Sequence, residues 1–151
     1  MRVTTSIYDA MGGSESVRAL AQAWHRRCLA DEVVSHAFSH PGQHPDHLER
    51  LTAYWGEALG GPPVYTETMA NQQHVVVLHS GNGIHTEMDD RAIACFVTAL
   101  DDVGITDELL RTTLADYFRW STHALAEHPD AAADVPDTVP VPHWSWSGPV
   151  G

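Results

Sequence analysis

Val75-Val76-Val77-Leu78-His79-Ser80-Gly81-Asn82-Gly83-Ile84 is the stretch on which the reading of this chain turns. Four apolar residues lead into a histidine, and glycines stand two and four residues beyond it. The pattern reads as a short helix presenting an imidazole near its C-terminal end, after which the glycines turn the chain. Val75 to Leu78 would also suit a strand, but no other segment has the character to pair with it. An imidazole on the inner face of a short helix is what a porphyrin iron requires as an axial ligand. A core histidine satisfied by a neighbouring polar group is the commoner use of such a position, and spacing alone leaves both open.

The rest of the chain limits the choice. Its 151 residues are enough for one domain with one core, and 43% of them are hydrophobic, as in an ordinary water-soluble globule. No apolar run approaches the roughly 20 residues that span a bilayer. The start, Met1-Arg2-Val3-Thr4-Thr5-Ser6, has no apolar signal-peptide core behind its charge, so a cytoplasmic protein is expected. There are eight arginines, no lysine, and a formal charge of −12, which argues against nucleic acid or an anionic membrane as partner. Cys28 and Cys95 are far apart in sequence and form no Cys-x-x-Cys pair. Each falls on an apolar helical face and reads as a buried structural thiol.

Outward from the histidine segment, Gly12-Gly13-Ser14 reads as a turn and N-cap. Val17, Leu20, Ala21, Trp24 and Cys28 then recur at helical spacing and predict a helix over about 14–29. A short segment runs from Asp31 to near Phe38. Asp46 begins a second long helix with the stripe Leu48, Leu51, Trp55 and Leu59, stopped by Gly60-Gly61-Pro62-Pro63. After the His79 segment, Thr86 and Asp89 resemble a capping box for a third helix carrying Met88, Ala92, Phe96 and Ala99. Thr106 is expected to cap a fourth, striped by Leu110, Leu114, Tyr117, Phe118, Ser121 and Leu125. From Pro129 onward the chain reads as extended and without regular structure, with Trp144 and Trp146 packing back on the body. Four long helices, a short one and no sheet make an all-α domain. We divide it into a body over 1–130 and a tail over 131–151.

Histidine is used freely, with eleven copies. His40, His44, His85, His128 and His143 lie in expected loops or helix ends and read as surface residues. His25, beside Trp24, and His47, four residues before Leu51, join His79 as candidates for chemistry. No His-Glu-x-x-His, phosphate-binding glycine loop or serine elbow is present. The Cys-x-x-Cys-His attachment signature is also missing, so any haem would be held non-covalently.

Taken in order, several segments resemble the truncated, two-over-two haemoglobins, most closely their second group. They are Ile7 to Gly13, Leu29-Ala30-Asp31 through Phe38, and His47-Leu48-x-x-Leu51 with Trp55. Next come Glu57-Ala58-Leu59-Gly60-Gly61-Pro62-x-x-Tyr65, His74-x-x-x-Leu78-His79-x-Gly81-x-Gly83-Ile84, Ala99-Leu100-Asp101, and the tail Val139-Pro140-Val141-Pro142-x-Trp144-x-Trp146. The resemblance implies a two-over-two helical sandwich around haem b, with His79 as proximal iron ligand. It implies that Phe38 wedges against the porphyrin, that His47 and Leu51 face bound ligand, and that Arg50 and Tyr65 lie near a propionate. Val75, Leu78 and Ile84, with Leu51, would bury the ring, and a carbonyl near Val75 or Val76 would fix the His79 tautomer.

The sequence departs from that family at three places. Trp24-His25 stands where an aromatic-tyrosine pair is usual, Ala92 where a bulky distal aromatic is usual, and Val77-Leu78 where cations are usual. A titratable imidazole thus replaces a neutral hydroxyl, and an indole donor and its bulk are lost. The implied pocket is larger and contains His25 and His47. Its expected ligands are dioxygen, carbon monoxide or nitric oxide, with a redox partner to keep the iron reduced. An enzyme on the same scaffold is the alternative: a peroxidase acting on peroxide, a nitric oxide dioxygenase or a small-molecule oxidase, with His47 and His25 as catalytic groups. A haem-free helical module binding a metal through its histidines is a third.

Overall fold

The computed structural model describes residues 5–34, 47–68, 86–125 and 143–150. Six helices and one hairpin are found there: α1 (Ile7–Met11), α2 (Ser14–Ala30), α3 (His47–Ala58), α4 (Val64–Thr68), α5 (Thr86–Asp102), α6 (Glu108–Leu125), β1 (His143–Ser145) and β2 (Gly148–Val150). The four long helices are those the apolar periodicity predicts. The short helix assigned to the His79 segment, the Asp46 cap and the approach to Phe38 lie outside the described residues.

Local chemistry sets the boundaries. Ser6 caps α1, its Oγ accepting the Asp9 amide at 3.1 Å. Gly12 then ends α1 in the left-handed region at φ 116°, with Gly12 N–H donating to the Asp9 carbonyl and Gly13 N–H to that of Tyr8. Ser14, the expected N-cap of α2, is instead its first helical residue, and Gly13 occupies the cap without a side-chain bond. The expected cap at Thr106 is likewise displaced by one residue. Asp107 fills the role, its Oδ2 accepting the Leu110 amide at 2.9 Å, because a carboxylate both bonds the free amide and suits the positive end of the helix.

The stripes close on one core. Val17, Leu20, Ala21, Trp24 and Cys28 of α2 are buried, as are Phe96 and Ala99 of α5 and Leu114 and Tyr117 of α6. Helix α2 packs on α3 and crosses α5, and α5 packs on α6, giving two helix pairs joined through α2 and α5. The joint is aromatic. Trp24 meets Trp55 and Phe118 edge-on at 5.5 Å each, and Phe96 stacks on Phe118 at 4.4 Å.

The tail corrects the sequence reading. Its described part is not irregular: β1 and β2 form an antiparallel hairpin pairing Ser145 with Gly148 and Trp144 with Pro149. Gly148 supplies the positive φ of 112° that the tight turn requires, and Ser145 Oγ accepts the Ser147 amide at 3.2 Å. The expected return of the tryptophans to the body is observed. Trp144 lies against Tyr117 and Trp120, with centroids 6.0 and 5.4 Å away, and the Trp146 indole donates to the Thr5 carbonyl at 2.8 Å.

Candidate functional site

The Gly-Gly-Pro block after α3 has a steric reason. A Cβ on Gly61 would come 2.6 Å from the Tyr8 ring and 2.8 Å from the Gly56 carbonyl oxygen, and Gly60 has φ 96°. The chain therefore folds tightly over α1 at this corner, and the Tyr8 amide donates to the Leu59 carbonyl at 3.0 Å. The turn delivers α4 back onto α3. Glu57 is buried at 3% exposure and receives the Thr66 amide at 2.9 Å and the Thr66 hydroxyl. Its carboxylate thus caps the start of α4. Sequence reading placed Glu57 in a motif without giving it this role; a carboxylate nine residues before a threonine at a helix start was the available signal.

Capping α4 fixes Tyr65. Its ring is buried and packs edge-on against Tyr54 at 5.3 Å. Burial pushes its phenol pKa up, while the Arg50 guanidinium, hydrogen-bonded to it from α3, pulls the other way. Arg50 and Tyr65, singled out separately in the sequence, are thus brought together as a cation and a hydroxyl at one point. Leu51, next on α3, is half-buried against the core. His47 is the first residue of α3; its side chain lies outside the described part.

On α2, His25 is half-buried, and burial lowers its pKa, so the neutral imidazole is favoured near pH 7. The adjoining Trp24 packs into the aromatic joint, and its Nε1 donates to the Ala92 carbonyl of α5 at 3.1 Å. Ala92 is itself buried. His79, Phe38, Val75, Leu78 and Ile84 lie outside the described residues. Among those described, no three His, Cys, Asp or Glu side chains are grouped to hold a bare metal ion.

The chemistry of these donors fits a porphyrin. Arg50 with the Tyr65 hydroxyl forms a natural holder for a propionate carboxylate. Leu51 contributes apolar surface, and His25 offers an imidazole in the protonation state that both donates and accepts.

Comparison with known proteins identifies the family to which the chain is similar. The profile of the bacterial-like globin family matches residues 6–126. The group 1 truncated hemoglobin GlbN of Mycolicibacterium paratuberculosis is 30% identical over 110 residues, which are 72% of this chain and 76% of that protein. Among solved structures, the group II truncated hemoglobin from Bacillus anthracis superposes with a TM-score of 0.72 at 16% identity, covering 89% of this chain and 100% of its own. A thermostable hemoglobin from Thermobifida fusca gives a TM-score of 0.68 at 24% identity, over 83% of this chain and 99% of its own.

Proposed function

The chain belongs to the bacterial-like globin family, and from that premise we propose that it binds haem b non-covalently through His79 and takes dioxygen or another small diatomic ligand at the iron. Its fold is the all-α arrangement of the truncated haemoglobins. We place it nearest their second group and in the cytoplasm, with residues 1–130 as the haem-binding body. Among the described residues, no helix is long and apolar enough to cross a membrane.

Haem bound there would supply an iron able to take a small ligand. The residues divide the remaining work. His79 would hold the iron through one ring nitrogen, and a hydrogen bond from the other to a nearby backbone carbonyl, of Val75 or Val76, would fix the ring. Phe38, Leu51, Val75, Leu78 and Ile84 would exclude water from the ring. Arg50 and Tyr65 would hold a propionate, and Glu57, by capping α4, would keep Tyr65 in place for that contact. His25 and His47 would serve on the ligand side, where a neutral imidazole would give a hydrogen bond to a polar diatomic. Ala92, in place of a larger side chain, would leave more room on the ligand side.

The observation that carries this reading is the extent of the family match: residues 6–126 include every residue assigned to the haem site. Haem titration of the full chain tests it. Stoichiometric tight uptake that weakens strongly in His79→Gly and measurably in Arg50→Ala supports the assignment. Equal uptake by all three proteins refutes it.

As a second reading we propose peroxide chemistry, because His25 is half-buried on α2 and burial lowers its pKa, favouring the neutral form a general base needs. That reading requires peroxide consumption by the haem-loaded protein to fall in His25→Ala. An unchanged rate rules it out.

A further inference from the structure

The two cysteines, remote in sequence, meet in space. Cys28 lies on α2 and is wholly buried; Cys95 lies on α5 and is part-exposed. The two thiols lie close enough across the helix crossing to influence each other, and neither is in a disulfide. The crossing is held around them. Trp24, one turn before Cys28, bonds the carbonyl of Ala92, which lies one turn before Cys95. Arg27 pairs with Asp102 at 2.7 Å, and Arg91 meets Asp31 at 3.4 Å. The charges of Arg27, Arg91 and Asp31 all reach Cys95. One sulfur is therefore accessible from a rim of ion pairs, and the other lies behind it in the core.

We propose that Cys95 and Cys28 are a peroxide-sensitive thiol pair, with Cys95 as the attacked sulfur and Cys28 as the resolving one, whose disulfide locks α2 to α5. Cys95 as thiolate attacks one oxygen of hydrogen peroxide. An S–O bond forms, the O–O bond breaks, and the sulfur loses two electrons as a hydroxide departs and is protonated to water. The Cys28 sulfur then attacks the sulfenic sulfur of Cys95. The S–S bond forms, the S–O bond breaks, and the departing hydroxide takes the Cys28 proton to leave as a second water. One peroxide is reduced to two waters, and two thiols become one disulfide. A thiol reductant returns the pair.

Order of attack follows from exposure. Burial raises both thiols, Cys28 much the further, while the neighbouring Cys28 favours a thiolate at Cys95. The chemistry needs no haem and does not rest on the proposed function. Its consequence does bear on that site, because the bond would fix the crossing one turn from His25 and Ala92.

The test is thiol counting and peptide mass mapping on the full chain treated with hydrogen peroxide, and separately with diamide, which oxidises thiols without iron. The expected result is loss of two thiols per chain with a linked Cys28–Cys95 peptide, independent of protein concentration and reversed by dithiothreitol. In Cys28→Ser, dimedone should trap a sulfenic acid at Cys95; in Cys95→Ser, Cys28 should resist oxidation. Survival of both thiols in the wild type overturns the proposal. So does over-oxidation of Cys95 without a cross-link, or a cross-link only between chains. Because the wild-type measurement decides alone, a variant that fails to fold does not rescue it.

Discussion

The Trp24 indole of α2 donates to the Ala92 carbonyl of α5 at 3.1 Å, joining the two helices that cross beside the candidate site. Trp24 also carries the aromatic joint through its contacts with Trp55 and Phe118. Trp24→Phe removes the donor and part of the ring while keeping the apolar character. The expected loss is about 1–3 kcal/mol of stability, combining the hydrogen bond with incomplete packing. Urea unfolding followed by circular dichroism measures it; a variant as stable as the wild type would show that the bond contributes nothing to the crossing.

Gly61 is the tightest point of the corner between α3 and α4. Gly61→Ala places a methyl against both the Tyr8 ring and the Gly56 carbonyl oxygen. The expected cost is about 1–3 kcal/mol. Adding Tyr8→Ala should recover only part of it, because the carbonyl is backbone and cannot yield as a side chain can. Full recovery in the double variant would show that the ring alone excludes the methyl.

Glu57→Ala leaves the start of α4 without its carboxylate. Two bonds to a charged acceptor disappear, so a loss of at least about 2 kcal/mol is expected. Tyr65 should loosen with it. Haem affinity should therefore fall more in Glu57→Ala than in an equally destabilising core change far from α4, such as Leu114→Ala. Equal falls in the two variants would leave Glu57 a purely structural role.

His25 makes a pH prediction with a definite sign. Its folded pKa lies below the usual 6.5 because burial opposes the charged form. Above that pH the residue is neutral in both folded and unfolded chains and costs nothing. As pH falls below it, the unfolded chain takes up the proton first, so stability declines until the folded pKa is passed. Nuclear magnetic resonance should place the His25 midpoint below the usual 6.5, and His25→Gln should flatten the decline. A His25 midpoint at or above 6.5 contradicts the burial argument.

Legibility in the sequence depends on the range of each interaction. The four long helices are legible because the stripes of α2, α3, α5 and α6 repeat at a period that only a helix satisfies. Caps are legible to within one residue: Thr106 and Asp107 are both good caps, and the Asp107 carboxylate takes the role. The tail hairpin escapes sequence reading because two three-residue strands have no detectable period. Contacts between distant residues are invisible there. Neither the meeting of Cys28 with Cys95, nor the Trp24–Ala92 bond, nor the Arg50–Tyr65 pair follows from spacing, since each depends on how helices cross. Arg50 and Tyr65 are nonetheless each marked as candidates through the resemblance of their flanking motifs.

The most direct test of the central claim is the absorption spectrum of the haem-loaded protein, ferrous and with carbon monoxide, for the wild type and for His79→Gly with and without added imidazole. The account predicts a strong Soret band that shifts on adding carbon monoxide in the wild type. It predicts loss of that behaviour in His79→Gly and its return when free imidazole occupies the vacated position. A His79→Gly protein whose spectra match the wild type without imidazole would show that another group holds the iron, and would contradict the account.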